Sequence, residues 1–182
     1  MSNAVMLSIR PKWCEKICRG EKTIEVRKTR PKMETPFKCY IYETQGWVEK
    51  DNIMAFKLGG RVIGEFTCDR IYKLETRSPG GSYFVDVEDK PTTNLVARET
   101  CLGLADMHRY LQSKTGYGWH ISELKIYDTP KELSEFQRAT DPCNSCHAEY
   151  TWECTGCKNL SGDIKRAPQS WCYVENRRAD NG

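Results

Sequence analysis

Two stretches of this chain hold residue types whose spacing can do chemistry. The first is Cys143-Asn144-Ser145-Cys146 followed, after seven residues, by Cys154-Thr155-Gly156-Cys157. Two residues between thiolates let one tight turn aim both sulfurs at one centre, and two such turns supply the tetrahedral four-sulfur shell that zinc accepts. Gly156 suits the backbone such a knuckle needs within its turn. Arg138, Lys158, Lys165 and Arg166 are placed in sequence to offset the negative charge of four thiolates around one zinc ion. A closed four-cysteine site is structural, because no coordination position remains for a substrate. His147 is a strained substitute ligand, directly beside Cys146. Free thiols or two disulfides are the alternative. A loop held by metal could present Trp152 or Lys158 to a protein partner.

The second stretch is Gly20–Lys28, GEKTIEVRK. Ile24 and Val26 alternate and share one face of an extended chain; Thr23, Glu25 and Arg27 share the other, with Lys22 at the entry. The polar row is either a solvated sheet face or the wall of a site. A lysine there can bind phosphate or, if desolvated, act as a base. Arg27 offers a planar fork to a carboxylate or phosphate. Aromatic and amide groups elsewhere could complete a base pocket: Trp47 in a loop, Trp119 beside His120, and Trp171 with Gln169. Trp119 reads equally as core.

These residues need elements to position them. At 182 residues with 38% hydrophobic and 29% charged side chains, the chain has material for one ordinary core. The net charge of +3 demands no polyanionic partner, yet basic residues crowd residues 10–32 and again 158–178. No stretch approaches the run of ~20 apolar residues that crosses a bilayer, and no apolar leader follows the start, which predicts a soluble, cytoplasmic protein without membrane contact. Ten cysteines in such a protein point to metal rather than to a disulfide framework. Cys14 and Cys18, four apart beside Trp13 and Ile17, read as small buried hydrophobes, and so do Cys39, Cys68, Cys101 and Cys172.

The pattern predicts a strand over Val5–Ile9, a helix from Pro11 to Gly20, and strands over 23–28, 37–44 and 61–74, with Gly64 as a bulge. A second helix covers 102–114, and strand material resumes at 116–130 and in SWCYVE, residues 170–175. Five or six short strands with two helices suggest an α+β, mostly β barrel, residues 5–136 and 166–176. The cysteine segment, 137–165, reads as an insertion and 177–182 as a flexible tail.

The run VMLSIRPKWCEKICRGEKTIEVRK resembles the ASCH family of PUA-like barrels. Its hallmark GxKxxExR is met by Gly20, Lys22, Glu25 and Arg27, preceded by strand and helix in the expected order; GYGWHISELKIY and RAPQSWCYVE are similar to its later strands. The resemblance implies a cleft that binds RNA or a modified nucleoside through Lys22, Glu25 and Arg27, with Trp47, Trp119, Gln169 and Trp171 as further contacts. It also implies an alternative, a hydrolase acting on RNA or on a modified nucleoside such as acetylcytidine. Such members carry a threonine nucleophile where this chain has Glu25. Here Glu25 would activate water while Lys22 held the oxyanion, and Glu99 would match a second acidic residue. Glu99 equally suits a carboxylate near a helix N-terminus.

Overall fold

The computed structural model describes residues 3–50, 53–87, 93–139 and 162–175. In chain order these give β1 (Asn3–Ile9), α1 (Pro11–Cys18), β2 (Ile24–Arg27), β3 (Phe37–Glu43), β4 (Gly46–Lys50), β5 (Ile53–Leu58), β6 (Arg61–Cys68) and β7 (Ile71–Arg77). There follow β8 (Phe84–Val87), α2 (Thr93–Thr100), α3 (Leu104–Leu111), β9 (Gly116–His120), β10 (Ser122–Lys131), β11 (Gln137–Arg138), β12 (Gly162–Asp163) and β13 (Trp171–Glu175). The chain divides into two compact units. One comprises residues 1–11, 38–65 and 125–182; the other, residues 12–37 and 66–124.

The first unit is organised by β1, whose residues Ala4 to Ile9 are all buried. A strand buried on both faces reads as a near-continuous apolar run, and VMLSI is one but for Ser8, whose hydroxyl donates to the Pro168 carbonyl at 2.6 Å. It pairs in parallel with β3 (Val5 opposite Cys39) and antiparallel with β13 (Val5 opposite Tyr173). The strands run β10-β6-β3-β1-β13-β11-β12. Ala4, Met6, Tyr40, Tyr42, Val62, Phe136, Ile164 and Val174 form the unit's apolar cluster. Gly64 is the point of close approach: a Cβ there would stand 2.5 Å from the Lys125 carbonyl oxygen, so only glycine lets β10 sit this near.

The second unit holds an antiparallel sheet in the order β2-β9-β7-β8. One face carries Ile24, Val26, Tyr72, Leu74 and Val85, covered by Val96 of α2 and by Met107 and Leu111 of α3. The glycines of GYGWH make this possible. A Cβ on Gly116 would meet Leu111 Cδ2 at 2.4 Å, and one on Gly118 would meet Ile24 Cγ2 at 2.9 Å. Side chains there would push α3 off the sheet and displace β2.

The mostly β, α+β class is that expected, and the detail differs. Among the described residues the strands number thirteen and the helices three, and the sheets are open rather than a closed barrel. The expected strand over 61–74 is two strands that turn at Asp69-Arg70. Burial falls on Val62, Gly64, Phe66 and Cys68, then on Tyr72, Leu74 and Thr76. A two-residue turn preserves the parity, so alternation alone cannot reveal it. The additional helix is α2; among its described side chains Val96 and Thr100, one turn apart, are buried. Helix α1 ends as expected: Gly20 sits at φ +71 with nothing near its missing Cβ, so glycine is there for the turn alone. No helix among the described residues is long and apolar enough to cross a membrane.

Candidate functional site

All four residues of β2 are buried, so the polar row of GEKTIEVRK is not a solvated face. Lys22 is 2% exposed. Its Nζ donates to the carbonyl oxygens of Ile24 (2.8 Å) and Thr100 (2.7 Å) and lies 3.2 Å from Glu25 Oε2. The other oxygen of Glu25 takes an Arg27 guanidinium nitrogen at 3.1 Å. Three side chains of the motif thus form one buried chain of charges, the arrangement in which ionic groups remain tolerable away from water. Lys22 Nζ also stands 5.3 Å from the centre of the Trp13 ring.

An ammonium group has three protons, and these three acceptors account for all of them. The lysine therefore acts as a tie. By bonding to Thr100 it fastens the entry of β2 to the last turn of α2. Two further bonds run along the same seam: Thr23 N–H to the Glu99 carbonyl, 2.9 Å, and Cys101 Sγ–H to the Glu21 carbonyl, 3.4 Å. Beside this seam lies an open groove of about 550 Å³ lined by Gly20, Glu21, Thr23, Arg98, Glu99 and Cys101. Gly20 is the one motif residue in the lining, beside Glu21 and Thr23; Lys22, Glu25 and Arg27 are not part of it, and α2 contributes a cation and a carboxylate to its wall.

Of the other sequence candidates, Trp119 faces Glu25 across the β2–β9 pairing, but it is fully buried with Phe37 edge-on at 5.7 Å. It is a core residue with no ring face to offer a base. Glu99 lies inside α2 rather than ahead of a helix, and lines the groove. Trp47 lies on β4 of the first unit. Gln169 and Trp171 belong to that unit too; Gln169 is exposed, and Trp171 is half-buried with Tyr173 edge-on at 5.4 Å. Cys143, Cys146, Cys154 and Cys157 lie outside the described residues, as do His147 and the 177–182 tail. Cys14 is buried as expected, whereas Cys18 is exposed and Cys101 and Cys172 are half-buried. Burial pushes the Cys68 thiol up to about 12. Among the described residues no group of three or more metal-ligating side chains comes together.

Sequence reasoning missed Arg98 and Cys101 in the groove, because α2 was missed. It also missed the partner of His120. His120 Nδ1 lies 2.6 Å from Asp69 Oδ1, on the turn hidden inside the 61–74 run. Burial raises the Asp69 carboxyl, but the His120 hydrogen bond and charge outweigh it and hold the group below its ordinary value.

This architecture matches that of solved ASCH proteins. The crystal structure of an ASCH protein from Zymomonas mobilis superposes with a TM-score of 0.55 at 15% identity, covering 94% of this chain and 87% of that one. Two single-residue variants of the same protein give 0.54 and 0.52 at 15% and 14% identity, covering 94% of this chain and 90% and 88% of theirs. No family model matches the sequence, and no curated protein matches it. The fold is that of the ASCH proteins, as the GxKxxExR segment led us to expect.

Proposed function

We propose that this chain binds RNA and seats one nucleotide, ordinary or modified, in the groove beside Gly20–Thr23. The observation that carries this reading is the tie made by Lys22. The central lysine of the motif fastens β2 to α2, and the groove opens along that seam with Arg98 and Glu99 on its wall. A guanidinium suits a phosphate, and a carboxylate suits the amino and imino edge of a base. The alternative reading as a hydrolase draws less support. Its oxyanion would need a proton that Lys22 already gives to two carbonyls and to Glu25.

The test is a fluorescence-anisotropy titration of a labelled single-stranded RNA pool, paired with mass spectrometry of the recovered RNA and of acetylcytidine. The expected result is saturable binding that weakens in Arg98→Ala and Glu99→Ala, with the RNA and the nucleoside recovered intact. Absence of binding at low salt would overturn the proposal, and product formation lost in Lys22→Ala would favour the hydrolase.

For the cysteine segment the proposal is a structural zinc held by Cys143, Cys146, Cys154 and Cys157. Strands β11 and β12 flank the segment and pair antiparallel, Gln137 opposite Asp163, so its two ends start from adjacent points of one sheet. That is the base a small metal-closed loop requires. One zinc per chain by elemental analysis, lost in Cys143→Ser, is the expected outcome.

A further inference from the structure

The end of β2 away from the groove carries a second feature. The chain leaves the strand through Lys28, Thr29 and Arg30, all exposed. Lys28 Nζ stands 5.2 Å from the centre of the Tyr110 ring of α3, and Arg30 Cζ stands 5.9 Å from that of Tyr117 of β9. Tyr110 is 40% exposed, and Tyr117 is half-buried. Four other surface cations of this unit are engaged with carboxylates, Lys16 with Glu21, Lys73 with Glu75, Arg77 with Asp86 and Arg109 with Asp106, while Lys12 and Arg70 each stand singly over a ring, Trp13 and Tyr72. Lys28 and Arg30 have no carboxylate partner among the described residues.

Two cations, each set against a tyrosine, reproduce what a single-stranded nucleic acid needs: charge for its phosphates and aromatic faces for its bases. A duplex hides its bases, so it could use the charges but not the rings. From Thr23 at the groove to Lys28 is five strand steps, roughly 17 Å, so one strand of nucleic acid could engage both ends of β2. We propose that Lys28, Arg30, Tyr110 and Tyr117 form a second contact site for single-stranded RNA, at the opposite end of β2 from the groove. This rests on the RNA-binding reading and extends it from one nucleotide to a segment.

The test uses the full chain and a labelled single-stranded RNA, titrated at several salt concentrations. Lys28→Ala/Arg30→Ala is expected to weaken binding by roughly tenfold and to flatten the salt slope by about 1.4, two phosphates at ~0.7 each. Tyr110→Ala is expected to lose roughly fivefold or more, while Tyr110→Phe keeps wild-type affinity because stacking needs the ring and not the hydroxyl. Wild-type affinity and slope in the double variant, with Arg98→Ala still impaired, would overturn this site and leave the groove standing. The reverse pattern would overturn the groove alone, and a wild-type chain that binds no RNA overturns both. Loss in the charge variant with none in Tyr110→Ala would also contradict the proposal. It would mark a merely electrostatic surface, open equally to a duplex or an acidic peptide.

Discussion

The β2-β9-β7-β8 sheet carries charge at both edges and treats it in opposite ways. At the β8 edge, Arg77 meets Asp86 across the strand pair through two bonds of 2.5 and 2.8 Å. At the β2 edge the Lys22–Glu25–Arg27 chain has longer distances, 3.1–3.2 Å. Geometry alone would rank the Arg77 pair higher. Burial reverses the ranking. The Arg77 and Asp86 side chains are 65% and 51% exposed, whereas Lys22 and Glu25 are 2% and 9% exposed. Water competes for the first pair and screens it, while the second lies largely out of reach of that screening. An ion pair gains structural weight from what remains when one partner is taken away.

The sharpest way to break this comparison is Lys22→Met. It leaves Glu25 Oε2 without its cation, with only Arg27 still paired to the buried carboxylate, and takes the donor from the Ile24 and Thr100 carbonyls, at a cost of roughly 3–5 kcal/mol. Denaturant unfolding reads this directly, and the RNA affinity of the folded fraction should fall with it as α2 loosens from β2. Full stability in this variant would contradict the role of Lys22 as a tie. Next in size is Gly116→Ala, one strand inward. The new methyl meets Leu111 at 2.4 Å and costs about 1–3 kcal/mol, visible as a lowered melting temperature. Arg77→Ala, by contrast, is expected to leave the unfolding midpoint unchanged within measurement error.

The smallest effect is in the pH dependence. The Arg77 hydrogen bond, followed by the opposing influence of burial and the attraction of the Arg77 charge, holds the Asp86 carboxyl below its ordinary value. A depressed carboxyl contributes its stability above the ordinary carboxyl range and loses it as pH falls through the folded value. Asp86→Asn should therefore be very slightly less stable than the wild type at neutral pH, the difference closing as pH falls below about 4.

Period and punctuation in the sequence revealed most of this sheet. Pro11 and Gly20 bracket α1, and Ile24 and Val26 alternate toward the apolar cluster as expected. GYGWH reads as strand and is one, though its glycines are explained only by Leu111 and Ile24 pressing on them. What stayed hidden has physical causes. The Asp69-Arg70 turn preserves parity, so the break between β6 and β7, and with it the partner of His120, left no mark in the alternation. Helix α2 begins inside a polar Pro-Thr-Thr-Asn run that reads as loop, and this hides its start. The groove was illegible for that reason: half its lining comes from the end of α2 and from Cys101 just beyond it. The motif itself was legible as a site element. Its burial was not, because a row of charged side chains looks the same in sequence whether it faces water or itself.

The measurement that tests the central claim most directly is photo-crosslinking of 4-thiouridine RNA to the wild-type chain, with the attached peptides read by mass spectrometry. Crosslinks are expected at residues 20–32 and in the stretch from Arg98 to Tyr117, covering both ends of β2. Crosslinks confined to the unit built around β1, or none at all under low-salt conditions, would contradict that claim.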